Sequence, residues 1–222
     1  IVVEGIEARR AVDIAEAYQI LENGAVPVLA DPRGESLATF KPAVVVDAIL
    51  AKRNLGTTRQ MAPIVVTVGP GFTAGETGDC HAVVETDRGH ELGRVILDGG
   101  AHPNTGTPGL IGGKSAERVL RAPLAGIFSE VVSLGDLVKK GDIVARVNPE
   151  DGSSPGDIPA PFDGKVRGLL SSGQSVKKGF KVGDVDPRGE EVDETLISDK
   201  ARAVAGGVLE AIMLLRSRAA AQ

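Results

Sequence analysis

The chain has 222 residues, 42% of them hydrophobic, which is enough for one large domain or two small ones with their own cores. Its formal net charge is −5 with acidic and basic residues interspersed, so no basic face or polybasic segment points to nucleic acid or to a membrane surface. A single cysteine excludes an intramolecular disulfide framework, and no apolar run is long enough to span a bilayer. Since the sequence has no secretory signal, we expect a soluble protein of the reducing cytoplasm.

The first 60 residues combine a helical pattern with short apolar runs. Residues 7–22 place alanine, valine and leucine at helical spacing, which predicts an amphipathic helix that ends at Asn23 and Gly24. Strands are predicted at residues 26–30 and 43–46, the second of which leads into Asp47. This alternation is typical of an α/β layer with parallel strands.

Three further strands are predicted at residues 62–68, 81–85 and 94–97. The loop after the first of them, residues 69–75 (GPGFTAG), has glycines that permit positive φ and a close backbone approach to a ligand. Residues 98–113 are too rich in glycine and proline for regular structure, so they predict a long surface or site-lining loop.

An internal repeat with a constant offset of 38 covers residues 122–186. No gap is needed to align the two copies. The aligned pairs are Ala122-Pro123 with Ala160-Pro161, Gly126 with Gly164, Gly135 with Gly173, VKKG at 138–141 with VKKG at 176–179, and Val144 and Val147 with Val182 and Val185. Each copy predicts short strands joined by glycine turns.

The repeat resembles the biotinyl and lipoyl carrier domains, which are pseudo-twofold barrel-sandwich β modules. The resemblance lies in AP-x-x-G followed by a V-x-x-G-D-type turn. Those carriers modify a lysine in the hairpin between their two halves, whereas the corresponding residues 148–158 (NPEDGSSPGDI) contain no lysine. The sequence therefore favours a module used for shape or docking over a carrier.

A long helix is predicted at residues 197–216, with Ser198 or Asp199 as its N-cap. The pair Gly206 and Gly207 inside it predicts close packing against a neighbour. Lys200 or Arg202 pointing toward a site is one interpretation, but the pattern favours a solvated helix face.

Candidate ligand-binding residues follow the predicted parallel strands, where open α/β sheets place their ligands. Lys52 and Arg53 are suited to clamp a phosphate, and a surface salt-bridge cluster is the alternative. The 69–75 loop lacks the Walker pattern but is suited to an anion-binding nest. The predicted ligand-binding set is Asp47, Lys52, Arg53, Asn54, Gly69, Gly71, Thr73, Glu85 and Arg88.

The sharpest catalytic hint is Cys80 beside His81, because an activated thiolate can carry sulfur or selenium. Neighbours in a strand point to opposite faces, however, so a buried inert cysteine is the alternative. His90 is the second catalytic candidate. The spacing of His81, Glu85 and His90 does not require a metal, and we predict none.

Nine strings together resemble one family. They are DAILAKRNLGT (47–57), GPGFTAG (69–75), DCHAVVET (79–86), RGHELGRVI (88–96), PNTG (103–106), IGG (111–113), ERVLRAP (117–123), KVGDVDPRG (181–189) and ISDKA (197–201). They are similar to the YqeB-like family, bacterial accessory proteins of selenium-dependent molybdenum hydroxylases. Members of that family begin with a Gly-rich Rossmann-like segment, and the start of this chain at Ile1, without an initiator methionine, leads us to expect that this segment is missing.

The resemblance implies a role in maturing xanthine-dehydrogenase-like enzymes that carry selenium beside the molybdenum cofactor. We expect an α/β plus β protein: an incomplete parallel α/β domain at 1–117, a pseudo-twofold barrel-sandwich hybrid at 118–190, and a C-terminal helix at 191–222 that packs back on the α/β domain. The ligand is expected to be anionic, either molybdenum cofactor or a nucleotide. The alternatives are an enzyme that transfers selenium, sulfur or a nucleotidyl group, and a scaffold that docks a partner hydroxylase or another accessory protein; self-association is left open.

Overall fold

The structure is a computed structural model that describes residues 1–106 and 109–221. It is a mixed α/β protein, mostly sheet, with a long C-terminal helix. The chain divides into two compact units, one made of residues 1–105 with 195–222 and the other of residues 106–194.

The first unit contains two sheets and three helices. Its elements are β1 (Val2–Val3), β2 (Ile6–Ala11), α1 (Ile14–Glu22), β3 (Val26–Leu29), α2 (Leu37–Phe40), β4 (Val44–Asp47), a 3₁₀ turn (Arg59–Met61), β5 (Ile64–Val68), β6 (Ala82–Val84), β7 (Val95–Ile96) and α3 (Asp199–Ala220). One sheet has the order β1-β2-β3 and the other β4-β5-β6-β7. The strands predicted after residue 25 are confirmed to within two residues of their bounds.

The helix predicted at residues 7–22 is wrong over its first part, because Ile6–Ala11 forms β2 and pairs in parallel with β3. Helix α1 begins only after Asp13, whose carboxylate accepts a hydrogen bond from the backbone N–H of Glu16. The Glu16 carboxylate in turn accepts from the N–H of Val12 at 2.7 Å, a reciprocal bond like that of a capping box but made to the residue before the N-cap. The short apolar pattern before Asp13 fits the period of a helix as well as that of a strand, and pairing with β3 decides that it forms a strand.

Strands β4, β5 and β6 run parallel, and β7 closes the sheet antiparallel to β6. All five residues of β5 are buried, as expected for a central strand that is covered on both faces. One face packs on α3 through Ile64, Val66 and Ala211. The other face holds a core with Val65, Phe72, Cys80 and Val83.

Helix α3 lies close to the sheet at one of its two central glycines. A β-carbon at Gly207 would lie 2.1 Å from the carbonyl oxygen of Gly93, whereas one at Gly206 would have nothing within 4 Å. The predicted N-cap is confirmed, since the Ser198 hydroxyl accepts from the N–H of Ala201. The predicted close packing therefore holds for Gly207 and is wrong for Gly206.

The second unit is built from eight short strands. They are β8 (Val119–Arg121), β9 (Gly126–Glu130), β10 (Leu137–Val138), β11 (Ile143–Asn148), β12 (Gly156–Pro159), β13 (Gly164–Leu169), β14 (Ser175–Val176) and β15 (Lys181–Asp186), with 3₁₀ turns at Ala116–Arg118 and Gly189–Glu191. They form two four-stranded antiparallel sheets, β10-β13-β15-β8 and β14-β9-β11-β12.

An offset of 38 residues converts the strands of the first copy, β8 to β11, into β12 to β15, so each sheet contains strands from both copies. The core between the sheets is fully or almost fully buried and comes from equivalent positions: Phe128, Val144, Val147, Val166, Val182 and Val185. The repeated glycines have a common cause. A β-carbon at Gly126 would lie 2.3 Å from the carbonyl oxygen of Asn148, and one at Gly164 would lie 2.4 Å from that of Asp186.

Three further points concern the loops and the helices. The described part of residues 98–113 contains no helix or strand, while 107 and 108 lie outside the described residues. The connection between β11 and β12, residues 149–155, contains no lysine. No helix in the described chain is long and apolar enough to cross a membrane.

Candidate functional site

The candidate site lies at the carboxyl edge of β4, β5 and β6, in the first unit. The loops that leave these strands carry Lys52, the Gly69–Gly71 turn and Arg88. The first turn of α3 reaches the same edge, because Asp199 pairs with Arg88. Open α/β sheets bind their ligands at this edge.

Internal hydrogen bonds fix the shape of the loop after β4. The buried Asp47 carboxylate accepts from the Thr57 hydroxyl at 2.5 Å and from the N–H of Ile49 at 3.1 Å. Asn54 accepts from the N–H groups of Gly56 and Thr57. Asp47 and Asn54, both predicted as ligand-binding residues, therefore hold the loop in place.

Lys52 and Arg53 are exposed at the tip of this loop. Lys52 has a φ of +64°, in the left-handed region that few residues other than glycine adopt. The adjacent turn needs Gly71 for close contact, because a β-carbon there would lie 2.6 Å from both Cα and N of Arg53. The predicted glycine thus brings the turn after β5 directly against the lysine-bearing loop.

Glu85 organises the loop after β6. It is buried, and its carboxylate accepts from the N–H groups of Thr86, Asp87 and His102 at 2.7–2.8 Å. Burial raises the pKa of Glu85, but the hydrogen bonds from these three backbone N–H groups lower it by more than burial raises it. The net shift of the pKa is therefore downward. Glu85 is therefore an ionised anchor for the loop.

Arg88 is tied to the start of α3. Its guanidinium donates to both carboxylate oxygens of Asp199, at 2.7 and 3.0 Å. Neighbouring Lys200 is half-buried. Its pKa is lowered by burial first, and then by the charges of Lys52 and Arg88, which outweigh the opposing effects of Asp87 and Glu85. The charges of Lys52 and Arg88 thus both repel the ammonium group of Lys200, and we call these three residues the cationic edge.

Sequence reasoning named Lys200 only as the less favoured interpretation and did not name His102 as a site residue. Lys200 was expected on a solvated helix face, because a helical pattern does not indicate which of its charges meets a distant loop. His102 donates its N–H to Glu85, and its imidazole Nε2 lies 3.1 Å from the carboxylate of Glu91. Its only signal was a place in a glycine-rich loop.

The predicted catalytic thiol lies elsewhere, at the amino end of β6. Cys80 is fully buried, and its Sγ lies 3.3 Å from the Thr67 hydroxyl. Burial raises the pKa of the thiol. The imidazole Nδ1 of His81 accepts from the N–H of Val65, so the two side chains have separate partners.

Of the remaining predicted site residues, Thr73 is bound within its own loop and His90 is exposed. The N–H of Thr73 donates to the Asp79 carboxylate at 3.0 Å, and its carbonyl accepts from the N–H of Asp79 at 2.7 Å, which closes that loop on itself. His90 is exposed on the loop between β6 and β7. Within residues 1–106 and 109–221, no three His, Cys, Asp or Glu side chains form a group that could hold a metal ion.

Fold and site together define the class of protein: an α/β unit with a cationic carboxyl edge and an all-β repeat unit. No protein-family profile matches the chain. It is 55% identical over 213 residues to the uncharacterized protein YqeB of Escherichia coli K12. The matched region is 96% of this chain but only 38% of that relative, so the chain spans well under half of the relative's length.

Solved structures show weaker likenesses. An aspartoacylase family protein from Mesorhizobium loti is 26% identical, with 32% of this chain and 23% of that chain covered and a TM-score of 0.29. The ectoine utilization protein EutE from Ruegeria pomeroyi is 26% identical, with coverage of 40% and 26% and a TM-score of 0.27. TM-scores of this size do not establish a common fold.

Proposed function

We propose that the protein binds a small anionic, phosphate-bearing ligand at the cationic edge. The observation that carries this proposal is the convergence of Lys52, Arg88 and Lys200, where burial and mutual repulsion lower the pKa of Lys200. A phosphate would relieve that repulsion and accept charge-assisted hydrogen bonds. Molybdenum cofactor and nucleotides both carry such a group.

The alternative of a surface salt-bridge cluster fits less well. Arg88 is paired with Asp199, but neither Lys52 nor Lys200 forms an ion pair among the described residues. The hydrogen bonds of Asp47 and Asn54 and the tight contact at Gly71 fix the lysine-bearing loop, and they maintain the left-handed backbone at Lys52. A preorganised site loses less entropy on binding.

Isothermal titration with pyrophosphate and with CTP tests the site. We expect saturable binding that weakens about tenfold in Lys52→Ala and in Lys200→Ala, since each removes a charge-assisted contact. Arg53→Ala tests the other predicted clamp residue. Lys178→Ala, an exposed lysine of the second unit, removes the same charge at a distance from the site. Absence of saturable binding, or equal losses in Lys178→Ala, would rule out this site.

We further propose that this binding serves the maturation of selenium-dependent molybdenum hydroxylases. The support is the resemblance of nine strings over nearly the whole chain to the YqeB-like accessory family. The test measures selenium per molybdenum in a xanthine-dehydrogenase-like enzyme purified from a strain that lacks this protein. Restoration by the wild-type gene but not by its Lys52→Ala version is expected, and restoration by both would contradict the proposal.

A catalytic role through Cys80 or His90 has less support. The thiol is buried with a raised pKa, which opposes thiolate formation. We therefore expect Cys80→Ser and His90→Ala to restore selenium content in the same assay. Loss of restoration by either variant, with folding intact, would favour the alternative of an enzyme that transfers selenium, sulfur or a nucleotidyl group.

We also propose that residues 118–190 are a pseudo-twofold barrel-sandwich hybrid that docks a partner protein. The supporting observation is a difference between the copies. Val131, Leu134 and Leu137 are each about half exposed. Their counterparts at the 38-residue offset are Leu169, Ser172 and Ser175.

The docking proposal is tested by giving the first copy the residues of the second. Leu134→Ser combined with Leu137→Ser should abolish retention of the purified hydroxylase in a pull-down with the full chain. Phe180→Ser is the matched control, since it removes an equally exposed apolar side chain from the second copy. Unchanged retention by the double variant would refute docking at this surface.

A further inference from the structure

A second candidate site lies in the first unit, apart from the cationic edge. A cavity of about 530 Å³ opens at the carboxyl ends of β3 and β4, which are edge strands of different sheets. This volume falls within the range of small-molecule sites. A second cavity of about 480 Å³ adjoins it and shares Leu29, Asp31 and Ser36.

Most of the wall of the larger cavity is apolar. Its apolar side chains include Leu29, Phe40, Val45, Ile49, Leu55 and Met61. Ile49 and Leu55 are 68% and 56% exposed, so the lining leaves large apolar side chains open to solvent. A mostly apolar wall with few polar groups is typical of ligand-binding cavities.

The polar groups of the lining mainly accept hydrogen bonds. Together the two cavities are lined by four carboxylates, from Asp13, Asp31, Glu35 and Asp47, and by one guanidinium, from Arg33, a net charge of −3. The guanidinium is already paired with Glu35 at 3.0 Å and is largely exposed. The lining therefore complements a positively charged ligand and opposes an anion.

The two carboxylates of the larger cavity are held in place before any ligand arrives. Asp31 accepts from the N–H groups of Glu35 and Ser36 at 2.9 and 2.8 Å. Asp47 accepts from the Thr57 hydroxyl and the N–H of Ile49. Asp31 also accepts from the side chain of Ser36. A carboxylate has about four acceptor positions, so Asp31 and Asp47 each keep at least one for a ligand.

We infer that this cavity binds a small organic cation, with an apolar body of about one ring against Phe40 and Leu55 and an amine or amidinium group that donates to Asp31 and Asp47. The cationic edge and this cavity lie on different parts of the loop that follows β4. The two sites can therefore be tested separately.

The test uses two probes of the same shape and opposite charge, para-aminobenzamidine and para-aminobenzoate. Each is titrated into the full ¹⁵N-labelled chain and followed by amide chemical shifts. We expect saturable shifts with the amidine, confined to residues near 29–36 and 45–57, and affinity for the benzoate that is at least about tenfold weaker. Equal affinity for the two probes, or no saturation with the amidine, would overturn the inference.

Two variants and two controls locate the binding. Asp31→Asn should weaken the amidine about tenfold while preserving shape. Leu55→Ser, at an exposed position where folding tolerates the change, should weaken both probes. Glu22→Gln makes the same charge change on α1 outside the lining, and Lys178→Ala removes an exposed charge from the second unit; both should bind normally. A loss in Glu22→Gln equal to that in Asp31→Asn would overturn the inference.

Discussion

The buried carboxylate of Glu85 gives the sharpest test of how the cationic edge is held together. In Glu85→Gln one carboxylate oxygen becomes an NH₂ group, so the N–H of His102 loses its acceptor and faces a donor, even if the other oxygen keeps Thr86 and Asp87. One lost charge-assisted bond and one part-buried donor left without an acceptor predict a loss of about 2 kcal/mol in the free energy of unfolding at neutral pH. In this variant, residues 85–102 should unfold before the rest of the first unit.

The pH dependence gives this prediction a sign. Because the folded-state pKa of Glu85 is lowered from 4.5, the unfolded chain binds more protons between the lowered pKa and 4.5. The stabilisation is complete above pH 4.5 and is lost as pH falls through the lowered value. Glutamine does not titrate, so the difference between the wild type and Glu85→Gln should shrink as the solution is acidified below 4.5.

Urea denaturation followed by circular dichroism at 222 nm is a suitable assay, since the three α-helices of the described residues belong to the first unit. Glu91→Gln is the matched control, because Glu91 is partly exposed and its contacts with His102 and Arg94 are worth about 0–1 kcal/mol. Equal stability of Glu85→Gln and wild type at pH 7, or a difference that grows on acidification, would refute the reasoning.

Five other substitutions, which make up two matched pairs and one single change, test packing and charge. Gly207→Ala should destabilise the chain by about 1–3 kcal/mol, because its β-carbon would overlap the carbonyl of Gly93. Gly206→Ala, whose β-carbon would lie in open space, should stabilise the chain by about 1 kcal/mol. Thermal melts at 222 nm that rank the two variants the other way would contradict the helix contact. Phe128→Ala should cost about 3–5 kcal/mol by urea denaturation and the half-exposed Phe180→Ala about 1 kcal/mol or less, so similar losses would refute the core assignment. Lys200→Met should stabilise the chain at neutral pH, because it removes a partly buried charge beside Lys52 and Arg88. Since the folded-state pKa of Lys200 is lowered from 10.5, this gain in stability should fade as pH rises through the lowered value toward 10.5. A gain that does not change with pH in urea denaturation would contradict that cause.

Local patterns predicted most of the strands and the repeat. Strand β5 carries an unbroken apolar run, and the two VKKG turns repeat without a gap, so their periods were visible in the sequence alone. The prediction for the segment before Asp13 was wrong because its few alanines and charges suit a helix and a strand equally. Pairing with β3, which lies 18 residues further on, decided between the two.

The candidate site was only partly predictable for a related reason. Lys52 and Arg88 follow strands, and strand order alone brings them to one edge. Lys200 joins them from a helix more than 100 residues away, through a contact that no local spacing encodes. Cys80 and His81 are neighbours in sequence, but strand geometry gives their side chains separate partners.

The exchange of strands between the two copies bears on how the second unit arose and how it folds. A lone copy, β8 to β11, holds two strands of each sheet, so all four of its strands need partners from the other copy. Two identical chains of that length would complete each other as an intertwined dimer, and joining them end to end through the β11–β12 connection would give the unit seen here. Because its sheets are complete only when both copies are present, the unit assembles through pairings between the copies, and such non-local pairings are expected to slow folding.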